Sequence, residues 1–117
     1  MNILLVCGDR NWLDKELIRS TIRDKMPDLV IVGDARGADL LAYDCCKEDG
    51  FTVISADAKW WKYGLAAGPI RNREMLDLKP SLVLAFHDDL ARSKGTIDTV
   101  TEAKRRGIKV QVVSHTR

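Results

Sequence analysis

The residues Leu29-Val30-Ile31-Val32-Gly33-Asp34-Ala35-Arg36-Gly37-Ala38-Asp39 decide how this chain folds. The four apolar residues at the start run without polar alternation and are rich in β-branched side chains, as in a strand covered on both faces. Two glycines among small residues follow. Ala38, Leu41, Ala42 and Cys45 then recur at helical spacing until Gly50, a residue suited to a left-handed cap. Strand, glycine turn and helix in that order open a βαβ unit. A turn of this kind brings backbone amides and the positive end of a helix dipole to one point, where an anion is stabilised. Its G-x-x-x-G spacing is neither the dinucleotide fingerprint nor a Walker loop.

Outward from this stretch the same grammar repeats. Ile3 to Cys7, Leu82 to Phe86 and Val110 to Val113 are further apolar runs, and Thr52 to Ser55 is a weaker one. Between them lie helical periodicities. Leu13, Leu17, Ile18, Ile22 and Met26 share one face and stop before Pro27. Pro69, favoured in a first turn, opens a stretch through Ile70, Met75 and Leu76. Ile97, Val100 and Ala103 close at Gly107. Each is long enough for a crossover between parallel strands. The order predicts an α/β fold: a single Rossmann-like three-layer domain over residues 1–117 with a mainly parallel five-stranded sheet. Ligands of such sheets gather at the carboxyl ends of the strands, so the loops after Cys7, Val32, Ser55 and Phe86 are where chemistry is expected.

The composition, 45% hydrophobic and 31% charged over 117 residues, is that of a packed globular protein rather than a disordered one. With 19 basic against 17 acidic side chains the net charge is only +2, which argues against a nucleic acid as partner. Cys7, Cys45 and Cys46 are odd in number, have no metal-type spacing and include an adjacent pair that seldom bridges, as fits a reducing interior. The first apolar run lacks the basic region, length and cleavage site of a signal peptide, and no segment is long enough to span a membrane. A cytoplasmic protein with no membrane contact is expected.

Four loops hold the candidate site. Gly8-Asp9-Arg10-Asn11-Trp12 offers a tight turn and a guanidinium that could fork onto phosphate or carboxylate, although an ordinary loop with Arg10 solvated fits as well. In Gly33 to Asp39, Arg36 between the glycines favours anion binding over simple helix capping by Asp34 or Asp39. The connection after Ser55 carries Trp60, Trp61 and Tyr63, then Gly68-Pro69-Ile70-Arg71-Asn72-Arg73. Stacking on a base and packing are equal expectations for Trp60, while packing is expected for Trp61; Arg71 could meet a phosphate. After Phe86, Lys94, Gly95 and Thr96 could offer an ammonium, an amide and a hydroxyl to a phosphate at a helix start. Asp88 and Asp89 read as solvated surface carboxylates rather than metal ligands, and His87, lacking a cysteine or histidine partner, reads as a loop residue.

Taken together, Gly33 to Asp39, Ala67-Gly68-Pro69-Ile70-Arg71-Asn72, Leu84-Ala85-Phe86 and Lys94-Gly95-Thr96 resemble the SLOG superfamily, in particular its small YspA/YpsA-related branch. Gly8-Asp9-Arg10-Asn11-Trp12 is similar to that branch's glycine, serine, arginine, any residue, tryptophan loop. The resemblance covers nearly the whole chain. It implies a Rossmann-like fold whose glycine loops bind nucleotides or compounds related to NAD or ADP-ribose, in proteins proposed as sensors. Relatives elsewhere in the superfamily are phosphoribohydrolases or DNA-binding processing proteins. Two departures stand out. Asp34 replaces the second glycine of the family's pair, and the later P-G-G-x-G-T motif is reduced to Gly95-Thr96 within a longer acidic loop. Thr99 stands where the phosphoribohydrolases carry a catalytic glutamate.

The leading expectation is therefore a module that senses or sequesters a nucleotide-derived small molecule, with no certain cofactor and no metal. Its ligand-binding residues would be Gly8, Asp9, Arg10, Gly33, Asp34, Ala35, Arg36, Gly37, Asp39, Trp60, Gly68, Arg71, Asn72, Lys94, Gly95 and Thr96. The first alternative is a nucleotide hydrolase with Asp39, Asp9 or Asp89 as base or nucleophile. The second is a nucleic-acid-binding module using Lys104, Arg105, Arg106 and Lys109. The tryptophans and the resemblance make a homodimer the expected assembly.

Overall fold

The computed structural model describes residues 1–115. Along the chain run β1 (Ile3–Gly8), α1 (Lys15–Lys25), β2 (Leu29–Gly33), α2 (Ala38–Asp49), β3 (Val53–Ala56), α3 (Trp60–Tyr63), α4 (Ala67–Asp77), β4 (Leu82–Phe86), α5 (Lys94–Arg105) and β5 (Lys109–Val113). The strands form one sheet in the order β3-β2-β1-β4-β5, and every pairing is parallel. The expected fold class is therefore found, with a sheet wholly rather than mainly parallel.

The unbroken apolar runs have a direct structural cause. Alternate residues of β1 enter two separate cores: Leu4 and Val6 pack with Ile18 and Ile22 of α1 and Ala42 and Cys45 of α2. Leu5 and Cys7 pack on the opposite face with Met75 and Leu76 of α4 and Val100 and Ala103 of α5. Both faces are dry, so neither parity of the strand can be polar. Phe86, fully buried at the end of β4, alone contributes about 2 kcal/mol from burial.

Helix boundaries depart from the apolar periodicity at three places. Leu13 and Met26 are 90% and 73% exposed, so neither belongs to the core face of α1. The helix starts only after Asp14, whose carboxylate accepts the Leu17 N–H at 3.1 Å, and it ends at Met26 in a left-handed cap. A side chain outside the helical turns no longer follows their period. The third long helix begins at Ala67, two positions before Pro69. Within the connection after Ser55, Trp60–Tyr63 forms the short α3.

The strand order reverses between β1 and β4: β2 and β3 continue to one side of β1, and β4 and β5 to the other. At that reversal the following loops diverge to opposite faces and leave a crevice, the usual ligand position in open parallel sheets.

Candidate ligand cleft

The crevice is built from the loop after β1 outward. The Asp9 N–H donates to the carbonyl of Phe86 at 2.9 Å, and the Asp9 carbonyl accepts from Trp12 and from Ala38, both at 3.1 Å. One residue thus pins the ends of β1 and β4 to the start of α2. Trp12 is buried, set edge-on to Phe86 with centroids 5.7 Å apart and stacked on His115 at 4.6 Å. Gly37 has a φ of +77°, and a Cβ there would overlap the backbone of Asp9 and Arg10. Glycine is required both by conformation and by that approach.

The start of α2 supplies the floor. Asp39 is only 7% exposed; its Oδ2 accepts the Ala35 N–H at 3.2 Å. Burial pushes its carboxyl up to about 6, against the pull of the Ala35 N–H and of Arg71. Gly33 lies beneath, where a Cβ would stand 2.6 Å from Asp39 Oδ2 and 2.8 Å from Arg71 Nη1. A side chain at Gly33 would therefore displace both. Asp34, the departure from the glycine pair, accepts from Arg71 Nη1 at 2.7 Å and from the Ala58 N–H at 3.2 Å. Arg71 also donates to the Ala56 carbonyl and to Asn72. It is thus a brace between α4 and the β2 and β3 loops, with its charge already met by Asp34. Asn72 in turn donates to Asp98 at 3.0 Å, tying α4 to α5.

On the far side, Ser93 caps α5 by accepting the Thr96 N–H at 3.2 Å. Gly95 is open on its Cα face, with no atom within 4 Å of where a Cβ would stand. Lys94 is exposed and has no ion-pair partner among the described residues. Trp60 is 54% exposed and its ring edge lies over Gly68, where a Cβ would be 3.3 Å from it. Trp61 is 84% exposed on the single turn of α3, so it does not pack within the chain.

These parts enclose a cleft of about 1230 Å³. Of the residues singled out from sequence, Gly8, Asp9, Arg10, Asp34, Ala35, Arg36, Asp39, Trp60, Gly68, Arg71, Asn72, Asp89, Lys94, Gly95 and Thr96 all line it, and Gly33 and Gly37 shape it from behind. Four distant sequence segments therefore converge on one volume. Arg10 and Lys94 line it with no acidic partner among the described residues, while Arg36 reaches Asn11 at 3.4 Å and Arg92 pairs with Asp89 at 3.1 Å.

His87 was missed. It is a wall of the cleft rather than a surface loop residue, 7% exposed, with its Nδ1 accepting the Asp89 N–H at 2.9 Å. That bond leaves the neutral ring's proton on Nε2, which stands 4.0 Å from Asp9 Oδ2. Its position directly after β4 was the signal that could have found it, since register places Phe86 opposite Gly8. Asp88 also lines the cleft, and its carboxylate and that of Asp14 hold the His115 ring from two sides. The basic run at the end of α5 is largely neutralised. Arg105 and Arg106 both donate to Glu102, which they hold down to about 2, and Arg106 also reaches Asp77 at 2.7 Å.

Among the described residues no helix is long and apolar enough to cross a membrane, and no group of three or more His, Cys, Asp or Glu side chains is placed to hold a metal. No protein-family model matches the sequence, and no curated protein does. Among solved structures the chain is similar to the X-ray structure of DNA processing protein A (DprA) from Streptococcus pneumoniae, with a TM-score of 0.81 and 17% identity. The match covers 99% of this chain and 51% of that one, so this chain spans about half the length of that protein. The chain thus shares the Rossmann-like fold of that structure over essentially its whole length.

Proposed function

We propose that the cleft binds a nucleotide or a nucleotide-derived compound of the NAD or ADP-ribose type, as a sensing or sequestering module of the YspA/YpsA-related kind. The observation that carries this reading is the start of α5. An unpaired Lys94, an open Gly95 and the Thr96 hydroxyl stand at a helix amino terminus on the lining of one cleft that Arg10 and Arg36 also line. Helix amides and an unpaired cation are what a phosphate requires. The half-exposed Trp60 offers a face for a base. A thermal-shift panel of AMP, ADP, NAD and ADP-ribose tests this. At least one compound should stabilise the protein, and Lys94→Ala should weaken its binding about tenfold or more, the worth of a charge-assisted hydrogen bond. No stabilisation by any of them, or an unchanged affinity in the variant, removes this reading.

A nucleic-acid partner is the second reading, favoured by the likeness in fold to a DNA processing protein. In this chain its support is the exposed segment Lys59 to Tyr63 at the cleft mouth rather than the neutralised end of α5. Fluorescence anisotropy with a labelled single-stranded oligonucleotide across a salt series decides between them. Salt-sensitive binding that Trp60→Ala abolishes would favour the nucleic acid; no binding leaves the small ligand.

A further inference from the structure

Asp39 and His87 both line the cleft, are more than nine-tenths buried, and each leave one polar atom without a partner among the described residues. Asp39 is 7% exposed; its Oδ2 is taken by Ala35, and nothing among the described residues engages Oδ1. Among the described residues no fully enclosed side-chain polar atom lacks a partner, so Oδ1 opens onto the cleft that Asp39 lines. His87 is also 7% exposed; its Nδ1 is taken by the Asp89 N–H, and Nε2–H has no acceptor within hydrogen-bond distance among the described residues. One buried acceptor and one buried donor therefore wait on the same volume. Both face the cleft, and a ligand that fills it must match them or leave a polar group desolvated and unsatisfied.

An acceptor and a donor on the lining of the cleft that the start of α5 also lines specify what the ligand must bring. A bare phosphate cannot satisfy Asp39, because two anions repel. A base edge could donate to it, but the half-exposed Trp60 already provides a stacking face at the mouth of the cleft. The group that lies between base and phosphate in a nucleotide, and that donates hydrogen bonds to carboxylates, is the sugar.

Resting on the nucleotide reading of the cleft, we infer that Asp39 Oδ1 accepts a hydrogen bond from a ribose hydroxyl while His87 Nε2–H donates to an oxygen of the same sugar phosphate, so that the site selects ribonucleotides over deoxyribonucleotides. This is a task distinct from those of Lys94 and Thr96, which meet phosphate in either sugar series. It also separates this cleft from a surface that binds DNA, whose sugar lacks the 2′-hydroxyl.

Calorimetric titration of the whole protein with AMP and ADP-ribose, and with the 2′-deoxy and 3′-deoxy forms of AMP, tests the inference. At least one deoxy form should bind about tenfold or more weakly than AMP, the loss expected when a buried carboxylate is left unmatched. Asp39→Asn should bring the deoxy and ribo forms within about threefold of each other, and His87→Gln, which keeps a donor, should retain more affinity than His87→Ala. Circular dichroism confirms that each variant is folded. If AMP or ADP-ribose binds and both deoxy forms bind as tightly as AMP, the sugar reading is wrong and the nucleotide reading stands. If neither ribonucleotide binds, both fall.

Discussion

Replacing Asp39 by Asn should make the ligand-free protein more stable. The carboxyl is raised from its ordinary value of 3.8 to about 6 chiefly by burial. At neutral pH the folded chain therefore holds a carboxylate that the unfolded chain would ionise more readily. The difference between those two values corresponds to about 3 kcal/mol of folding free energy forgone above pH 6. The sign follows from the direction of the shift. Below 3.8 the group is protonated in both states and the deficit vanishes; it grows between 3.8 and about 6, where only the unfolded chain ionises, and levels off above about 6, where the folded state ionises too. Asparagine keeps an acceptor for the Ala35 N–H and carries no charge at any pH. Urea unfolding at pH 7 should show Asp39→Asn more stable by about 2–3 kcal/mol, a rise in Tm on the order of 10 °C. The gap should close toward zero as pH falls from 6 to 4. A variant less stable than wild type at pH 7, or a gap indifferent to pH, would refute the reasoning. The ionised Asp39 is then a cost held for binding, as expected of a group kept for its ligand.

The other predictions concern the supports of the cleft. Gly37→Ala should destabilise by about 3 kcal/mol in urea unfolding, because a φ of +77° and overlap with Asp9 and Arg10 act together; a loss below about 1 kcal/mol would contradict the close approach. His115, raised in pKa by its bonds to Asp88 and then Asp14, lends stability that is full below its ordinary 6.5 and is lost as pH rises through the raised value. The Tm deficit of His115→Gln should accordingly shrink between pH 6 and pH 9. Prolonged incubation with NAD or AMP should leave both intact by chromatography, since Thr99 offers a hydroxyl, already donated to the Gly95 carbonyl, where cleavage would call for a carboxylate. Free base or ribose phosphate among the products would overturn that.

Much of the fold was legible because both faces of the sheet are dry, so β1, β2 and β4 announce themselves as apolar runs. The edge strand β3 was the faint one, half-exposed on Val53 and open on Ile54 and Ser55. Helix ends were less legible: the Asp14 cap and the left-handed Met26 are local hydrogen-bond choices that apolar spacing does not encode. Within the cleft, the glycine loops were visible from their composition, whereas partners were not. The pairing of Glu102 with Arg105 and Arg106 is local, at i,i+3 and i,i+4 spacing, whereas that of Asp34 with Arg71 depends on α4 packing against the loop after β2. His87 escaped for the same reason, since only the β1–β4 register brings it beside Asp9.

The most direct measurement is a titration of the isotopically labelled protein with ADP-ribose, followed by backbone amide NMR shifts. Binding in the cleft predicts that the largest shifts fall on Gly33 to Asp39, on His87 and on Lys94 to Thr96. Shifts confined to other surfaces, or none at saturating ligand, would contradict it.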